Sequence, residues 1–506
     1  MIQESIVKVF MKNILAVFFL FFIYDVQGQI NGDVFDTLLV HWDKQLTISR
    51  STPTLQVVVN PLLRRGSPIH DQSFTALQNL GCDYVRYVPW LPYPKLGVAE
   101  LEPPEKNKTS WDFSLIDPMT TDFLNATKGH SVILNFSTIP AWMYKANEPV
   151  TFPDNPDSVT WNYTQGSVPR DTSLKEMADY FTRVYSWYTK GGFTDELGKH
   201  HSSGFHFNVP IWEVLNEPDL EHNPSVQQYT KQYDAIVSAI KKESPNTKFV
   251  GMALAYEDKP EWFEYFLNPK NHQAGIPLDM ISYHFYAIGL IEQSIDIMQY
   301  TFFERADAFI NSVRYIENIR KRLSPKTRTT INEIGSILLS DFAPKEIPIP
   351  GEYWNLSGAT FAYVFLGLTQ LGIDVIGESQ LVGYPSQFPS VSMMNYHNGK
   401  PNARYWVLKL IKDNFGPGDS LIDAHIIGKG SAGSDITLQA FNTKQGKKLL
   451  LINKRNKTEK FMLPAAFKGG KLTAVDVTTG DNEPAQSTVN TNTIELKPFA
   501  VAVLTL

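Results

Sequence analysis

The chain has 506 residues, 43% of them hydrophobic, which is enough for one large domain with room for one or two small ones. A net charge of −6 argues against nucleic acid or an anionic membrane as the main partner. Cys82 is the only cysteine, so an intrachain disulfide and a cysteine-based metal site are both excluded.

The start reads as a targeting signal. After Met11-Lys12 comes an apolar run over 14–23, the length of a signal-peptide core and short of the ~20 residues a spanning helix needs. Val26-Gln27-Gly28 offers short residues at the usual cleavage positions. The expectation is a signal peptide over 1–28 and an exported mature chain, periplasmic or extracellular, with no stable membrane span after cleavage. An uncleaved anchor is the competing reading. Asn-x-Ser/Thr sequons stand at Asn107, Asn125, Asn135, Asn162, Asn355 and Asn456, but Asn135 falls in a predicted buried strand and no glycosylation is inferred.

Residues 33–49 alternate loosely, and 29–53 are expected to contribute strands to the β-domain at the end of the chain. From 54 to 418 a pattern repeats eight times: a short branched-apolar run, a loop, then a segment of helical period. The strands are expected at 55–59, 83–90, 131–136, 209–215, 248–254, 279–286, 329–332 and 373–376. Their helices are expected at 71–80, 114–127, 174–189, 225–243, 260–267, 303–322, 356–371 and 403–413. Eight such units predict an α/β fold, a closed (β/α)8 TIM barrel. An open doubly wound sheet is disfavoured because no Gly-rich nucleotide loop follows the first strand. Over 419–506 the texture changes to short apolar runs spaced by polar turns, which predicts a C-terminal β-sandwich.

Two glutamates sit where such a barrel keeps its chemistry, at the carboxyl ends of strands. Glu217 closes the fourth run in Trp212-Glu-Val-Leu-Asn-Glu-Pro-Asp219, where Pro218 stops the strand and biases Glu217 towards extended geometry. Glu333 closes the seventh run, in Thr329-Thr-Ile-Asn-Glu-Ile-Gly335. Glu304, Glu352 and Glu378 compete with Glu333 for the second role. Two carboxylates in a chain rich in aromatics and without metal or nucleotide motifs suit hydrolysis of a glycosidic bond: one protonates the departing oxygen and the other attacks or activates water. Asn216, beside Glu217, can donate to a sugar 2-hydroxyl. Arg86, flanked by apolar residues on the second strand, is costly to bury unless paired, with a site acid or with Asp83 or another barrel-end acid. Trp90, Trp142 and Trp354 are equally readable as sugar platforms or as core. His200, His201 and His206 lie in a predicted loop over 199–207 and are not read as a metal site; no cofactor is expected.

The Asn-Glu-Pro element, the eight units and the trailing β-domain resemble clan A retaining glycoside hydrolases. The runs Gly81-Cys-Asp-Tyr-Val-Arg-Tyr87, Trp111-Asp-Phe-Ser114 and Ser282-Tyr-His-Phe-Tyr286 are most like family 39, which holds β-xylosidases and α-L-iduronidases. The resemblance implies Glu217 as acid/base and Glu333 as nucleophile. It further implies Arg86 as the holder of the nucleophile's carboxylate, supported by His284 or Tyr286. Many clan members place a Trp after strand eight, where this chain has Gly377-Glu-Ser-Gln380. The expected partner is an oligosaccharide, polysaccharide or glycoconjugate. Two alternatives stand: a uronic-acid-directed enzyme, for which Arg64, Arg65 and Lys145 are candidate cations, and a catalytically silent carbohydrate-binding protein.

Overall fold

The computed structural model describes residues 36–146, 150–160, 166–343, 345–384 and 388–506. The expected signal peptide lies outside the described residues.

Eight parallel strands form the centre: Thr52–Val58, Val85–Val88, Val132–Leu134, Ile211–Glu213, Lys248–Leu254, Met280–Tyr283, Arg328–Ile337 and Val375–Glu378. Each pairs with the next, and the eighth pairs with the first, so the sheet closes into a (β/α)8 barrel. Such strands face the barrel interior on one side and helices on the other, which is why they read as near-continuous apolar runs. The fourth strand is only three residues long and wholly buried.

The helices start and stop on local chemistry. Ser225 caps Val226–Glu243 by accepting from the Gln228 N–H, and Asn402 caps Ala403–Asn414 in the same way from Arg404. Gly372, at φ 80°, ends Gly351–Leu371 in the left-handed conformation that costs glycine little. One helix is longer than its periodicity suggests. Ile295–Leu323 begins eight residues before the expected 303, because Met298, Gln299 and Phe302 carry the buried stripe through a turn whose Ile297 and Tyr300 stay exposed.

Nine further strands form the second sheet, all hydrogen-bonded in one continuous order. The sheet curls over itself, so that Leu38, Leu449, Leu451, Phe461, Ile494, Leu496 and Leu504 meet in one apolar core. Its first strand in the sequence, Asp36–Ile48, pairs antiparallel with Ser420–Ile427 and, at its start, parallel with Glu459–Met462. Gly446–Asn453 explains the lack of alternation in this part of the sequence. Leu449 and Leu451 face the sheet's own core, whereas Leu450 and Ile452 join the core of the barrel. Val501 and Val503 do the same against Ala502 and Leu504. Both faces are buried because helices Gly351–Leu371 and Ala403–Asn414 pack on the outer face.

Leu450 lies in that joint with no exposure to solvent. Leu450→Ala should lower stability by about 2–5 kcal/mol. Urea unfolding read by tryptophan fluorescence and by circular dichroism should shift together as one transition, since the two parts share a core.

Candidate active site

At the carboxyl ends of the barrel strands a buried polar cluster is built around Arg86, on strand two. Its Nε donates to Glu213 Oε2 at 2.5 Å, Nη1 to Glu333 Oε2 and to Gln56 Oε1 at 2.7 Å each, and Nη2 to Asn216 Oδ1 at 2.6 Å. Arg86 and Glu213 have no exposure to solvent. Glu213 accepts in addition from Asn135 at 2.6 Å and Asn332 at 2.9 Å, so both of its oxygens are occupied. Asp83, the alternative partner for Arg86, instead accepts from the Ser131 backbone N–H and lies beside His130.

Glu217 does not take the extended geometry expected of a residue before proline; it is left-handed, at φ 37° and ψ 51°. The reason lies in its hydrogen bonds. Its N–H donates to Ala253 O at 2.9 Å, and its carbonyl accepts from the Leu220 and Glu221 N–H groups, so it opens a helical turn in which Pro218 fits the first position. Ala253 belongs to an irregularity in strand five, where Met252 and Ala253 also have positive φ. Non-glycine residues in this region typically carry of order 1–3 kcal/mol of strain, and such residues gather at functional sites.

His284 lies between the two glutamates. Its Nδ1 is 2.8 Å from Glu217 Oε1 and 3.5 Å from Glu333 Oε2, and the three ligating atoms of Glu217, His284 and Glu333 all fall within 4.8 Å of one another. Tyr286 donates to Glu333 Oε1 at 2.7 Å and lies 2.7 Å from Ser379 Oγ, to which Gln56 also donates. Burial raises Glu217 above the usual carboxylate range; the His284 hydrogen bond draws it back and the Glu333 charge pushes it further up. Glu333 is pushed up by burial too, but the His284 and Arg86 charges and the Tyr286 hydrogen bond outweigh that and leave it below its ordinary value. For His284 burial disfavours the cation, and the two carboxylates more than restore it. The two carboxyls are thus shifted in opposite directions. Two carboxylates and an imidazole could also ligate a metal ion, but Arg86 already supplies the counter-charge to Glu333.

Glu378 does not compete. It is fully buried in strand eight and paired with Arg404 at 3.0 Å, whose guanidinium also donates to the Ser379 and Val391 carbonyls. Glu352 and Glu304 are exposed at helix positions. The 199–207 segment is not wholly loop, since His200–Ser202 pairs with Gly192–Thr194 and His201 Nε2 lies 2.8 Å from Asp195. Trp90 donates to Glu221, whereas the Trp142 ring is covered by Arg170 at 4.3 Å and its N–H is given to Glu100 O. Arg64 is paired with Asp157 and Arg65 with Asp122. Burial pushes the Cys82 thiol up to about 12, which leaves it inert.

Sequence reasoning missed Gln56, Asn135, Glu213, Glu221 and Ser379. A signal existed for Glu213: an acid in the middle of the predicted buried run 209–215 requires a cation, and Arg86 was the cation already expected to be buried.

A closed barrel with two glutamates facing each other at its carboxyl end defines a glycoside hydrolase. Over residues 189–334, which contain Asn216, Glu217, His284, Tyr286 and Glu333, the chain matches the family model for glycosyl hydrolases family 39, and the chain is a glycoside hydrolase resembling that family. No curated protein matches the sequence. The fold is similar to that of a family 51 α-L-arabinofuranosidase from Bifidobacterium longum, at 13% identity, TM-score 0.61, covering 94% of this chain and 99% of the other. An α-L-arabinofuranosidase from Thermotoga maritima aligns at 15% identity and TM-score 0.58, over 93% and 99% of the two chains. A conserved exported protein from Bacteroides fragilis aligns at 9% identity and TM-score 0.60, over 93% and 100%.

Arg86→Met strands Glu213 in the interior without its counter-charge. Its stability, measured by urea denaturation, should fall by about 3–5 kcal/mol relative to the wild type.

Proposed function

We propose that the protein is an exported, retaining glycosidase acting by double displacement, with Glu333 as nucleophile and Glu217 as acid/base. The observation that carries this reading is the opposed setting of two carboxyls whose oxygens lie within 4.8 Å: Glu217 raised and Glu333 lowered. Retaining enzymes keep their carboxyls roughly 5–5.5 Å apart, whereas inverting ones need a gap of ~6.5–9.5 Å for a water. In the first step the Glu333 carboxylate bonds to the anomeric carbon, the bond to the leaving oxygen breaks, and Glu217 gives that oxygen its proton. In the second, Glu217 takes a proton from water as the water oxygen attacks the anomeric carbon, and the glycosyl ester breaks to restore Glu333.

Arg86 and Tyr286 hold Glu333 in place and His284 bridges the pair. Asn216 is fixed through its oxygen by Arg86, which leaves its amide for donation; one N–H goes to Glu221 and the other is assigned to the sugar 2-hydroxyl. Export is supported by the apolar run over 14–23, and among the described residues no helix is long and apolar enough to cross a membrane. The substrate is proposed as a pentoside, β-xyloside first. The arabinofuranosidases above and a GH30 endoxylanase from Clostridium papyrosolvens share the fold, at 14% identity and TM-score 0.55 for the endoxylanase, over 92% of this chain and 99% of that one. The uronic-acid alternative loses two of its three candidate cations to the pairs with Asp157 and Asp122.

Hydrolysis of a panel of aryl glycosides (β-xyloside, α-arabinoside, α-iduronide, β-glucuronide, β-glucoside, β-galactoside) tests the reading. Glu333→Ala should abolish turnover, and Glu217→Ala should keep partial turnover only on good leaving groups. Binding of sugar with no hydrolysis of aryl or polymeric substrates would return the chain to the carbohydrate-binding class.

The pH profile tests the assignment independently. Activity should rise as Glu333 ionises and fall as Glu217 loses its proton, giving a bell. Tyr286→Phe removes a hydrogen bond that favours ionised Glu333, so the acid limb of kcat/KM should move to higher pH while the basic limb stays.

A further inference from the structure

Glu221 lies one helical turn past Glu217 and takes no part in the reaction above. Its backbone N–H donates to the Glu217 carbonyl at 2.8 Å, which fixes it beside the site. Its Oε1 accepts from Asn216 Nδ2 at 2.8 Å and from Trp90 Nε1 at 2.7 Å. Its Oε2 is buried and, among the described residues, has no hydrogen-bond partner. The titratable groups that face it are Glu217 and Glu333 on the side of the site and Tyr144 behind. No Lys, Arg or His pairs with it among the described residues.

An ionised carboxylate in this setting would leave one oxygen bare in the interior, face the charge of Glu333 and oppose every ionisation of Glu217. A carboxylic acid lessens each of these: with the proton on Oε2 the unpartnered group is an uncharged hydroxyl rather than a bare charge, and Oε1 remains an acceptor for both N–H groups. We propose that Glu221 works as an uncharged carboxylic acid, a positioning residue that holds the Asn216 amide and the Trp90 indole beside the sugar site without adding negative charge next to Glu217. Burial, followed by the Glu217 charge, sets its pKa well above the usual carboxylate range, in the same direction. The inference rests on the hydrolase reading of Glu217 and Glu333, and it makes a fixed Asn216–Glu221–Trp90 chain part of the substrate site.

Three measurements on the mature protein test it. Glu221→Gln keeps an uncharged side chain with an accepting oxygen, so kcat/KM should stay within about threefold of wild type and both limbs of the pH profile should stay in place. Glu221→Ala removes the anchor and should lower kcat/KM by about tenfold or more. The infrared difference spectrum between wild type and Glu221→Gln at neutral pH should contain the C=O stretch of a protonated carboxyl. Loss of activity in Glu221→Gln equal to that in Glu221→Ala, a basic limb moved to lower pH in Glu221→Gln, or absence of the carboxyl band would each overturn the proposal. The infrared readout needs no turnover, so a wild type that shows the band but cleaves no glycoside overturns the hydrolase reading instead. If Glu221→Ala does not fold, Glu221→Gln and the spectrum decide.

Discussion

The pairing of a buried arginine with two buried acids is the constraint on which the rest of this barrel depends. A guanidinium without solvent is tolerable only where its donors meet fixed acceptors, and Arg86 meets Gln56, Glu213, Asn216 and Glu333 from strands one, four and seven and the loop after strand four. Its planar fork sets the direction of each bond, so those elements are held at one mutual position. Glu213 does more than neutralise charge, because together with Asn135 and Asn332 it forms a polar floor that keeps Arg86 from turning wholly towards Glu333. Ser282 then holds the oxygen of Asn332.

From that floor the electrostatics of the two glutamates follow. Glu333 receives charge from Arg86 and His284 and a hydroxyl from Tyr286, and is kept ionised. Glu217 is carried on a different loop, hydrogen-bonded to His284, with Glu333 acting against its ionisation. The left-handed Glu217 and the irregular Met252–Ala253 backbone that receives its N–H are what put it there. Two carboxyls of the same chemistry thus acquire opposite tendencies from position alone.

The sequence carried the barrel because a parallel strand covered on both faces must be apolar, and eight such runs alternating with helical segments have few other ways to close. It carried Glu217 and Glu333 because each follows a branched-apolar run, although the seventh strand runs on to Ile337 and holds Glu333 within it rather than after it. It hid Gln56, Asn135 and Ser379, whose importance comes only from neighbours far along the chain: Ser379 meets Gln56 over 323 residues. It misled at Glu217, where the local preference of a residue before proline yielded to a hydrogen bond from strand five. The curled β-sheet was legible as strands but not in its burial, because Leu450 and Leu451 look alike in sequence and face different cores.

The same geometry separates what the chain shares with its relatives from what is its own. The family match over 189–334 takes in strands four to seven, and with them both glutamates, His284 and Tyr286. Strands one, two, three and eight lie outside it. Where many relatives place a Trp after strand eight, Ser379 turns inward to Tyr286 and Gln56, while Arg404 pins the Ser379 and Val391 carbonyls from behind. The Gln380 N–H and carbonyl then bond across to Val391 and Met393, so this loop is stitched down along its length. Trp90, just past strand two, is tied to Glu221 and stacked 6.3 Å from Phe388 of that same segment after strand eight. The segment after strand eight is therefore held at both of its edges, by Tyr286, Gln56 and Arg404 on one side and through Phe388 by the tethered Trp90 on the other.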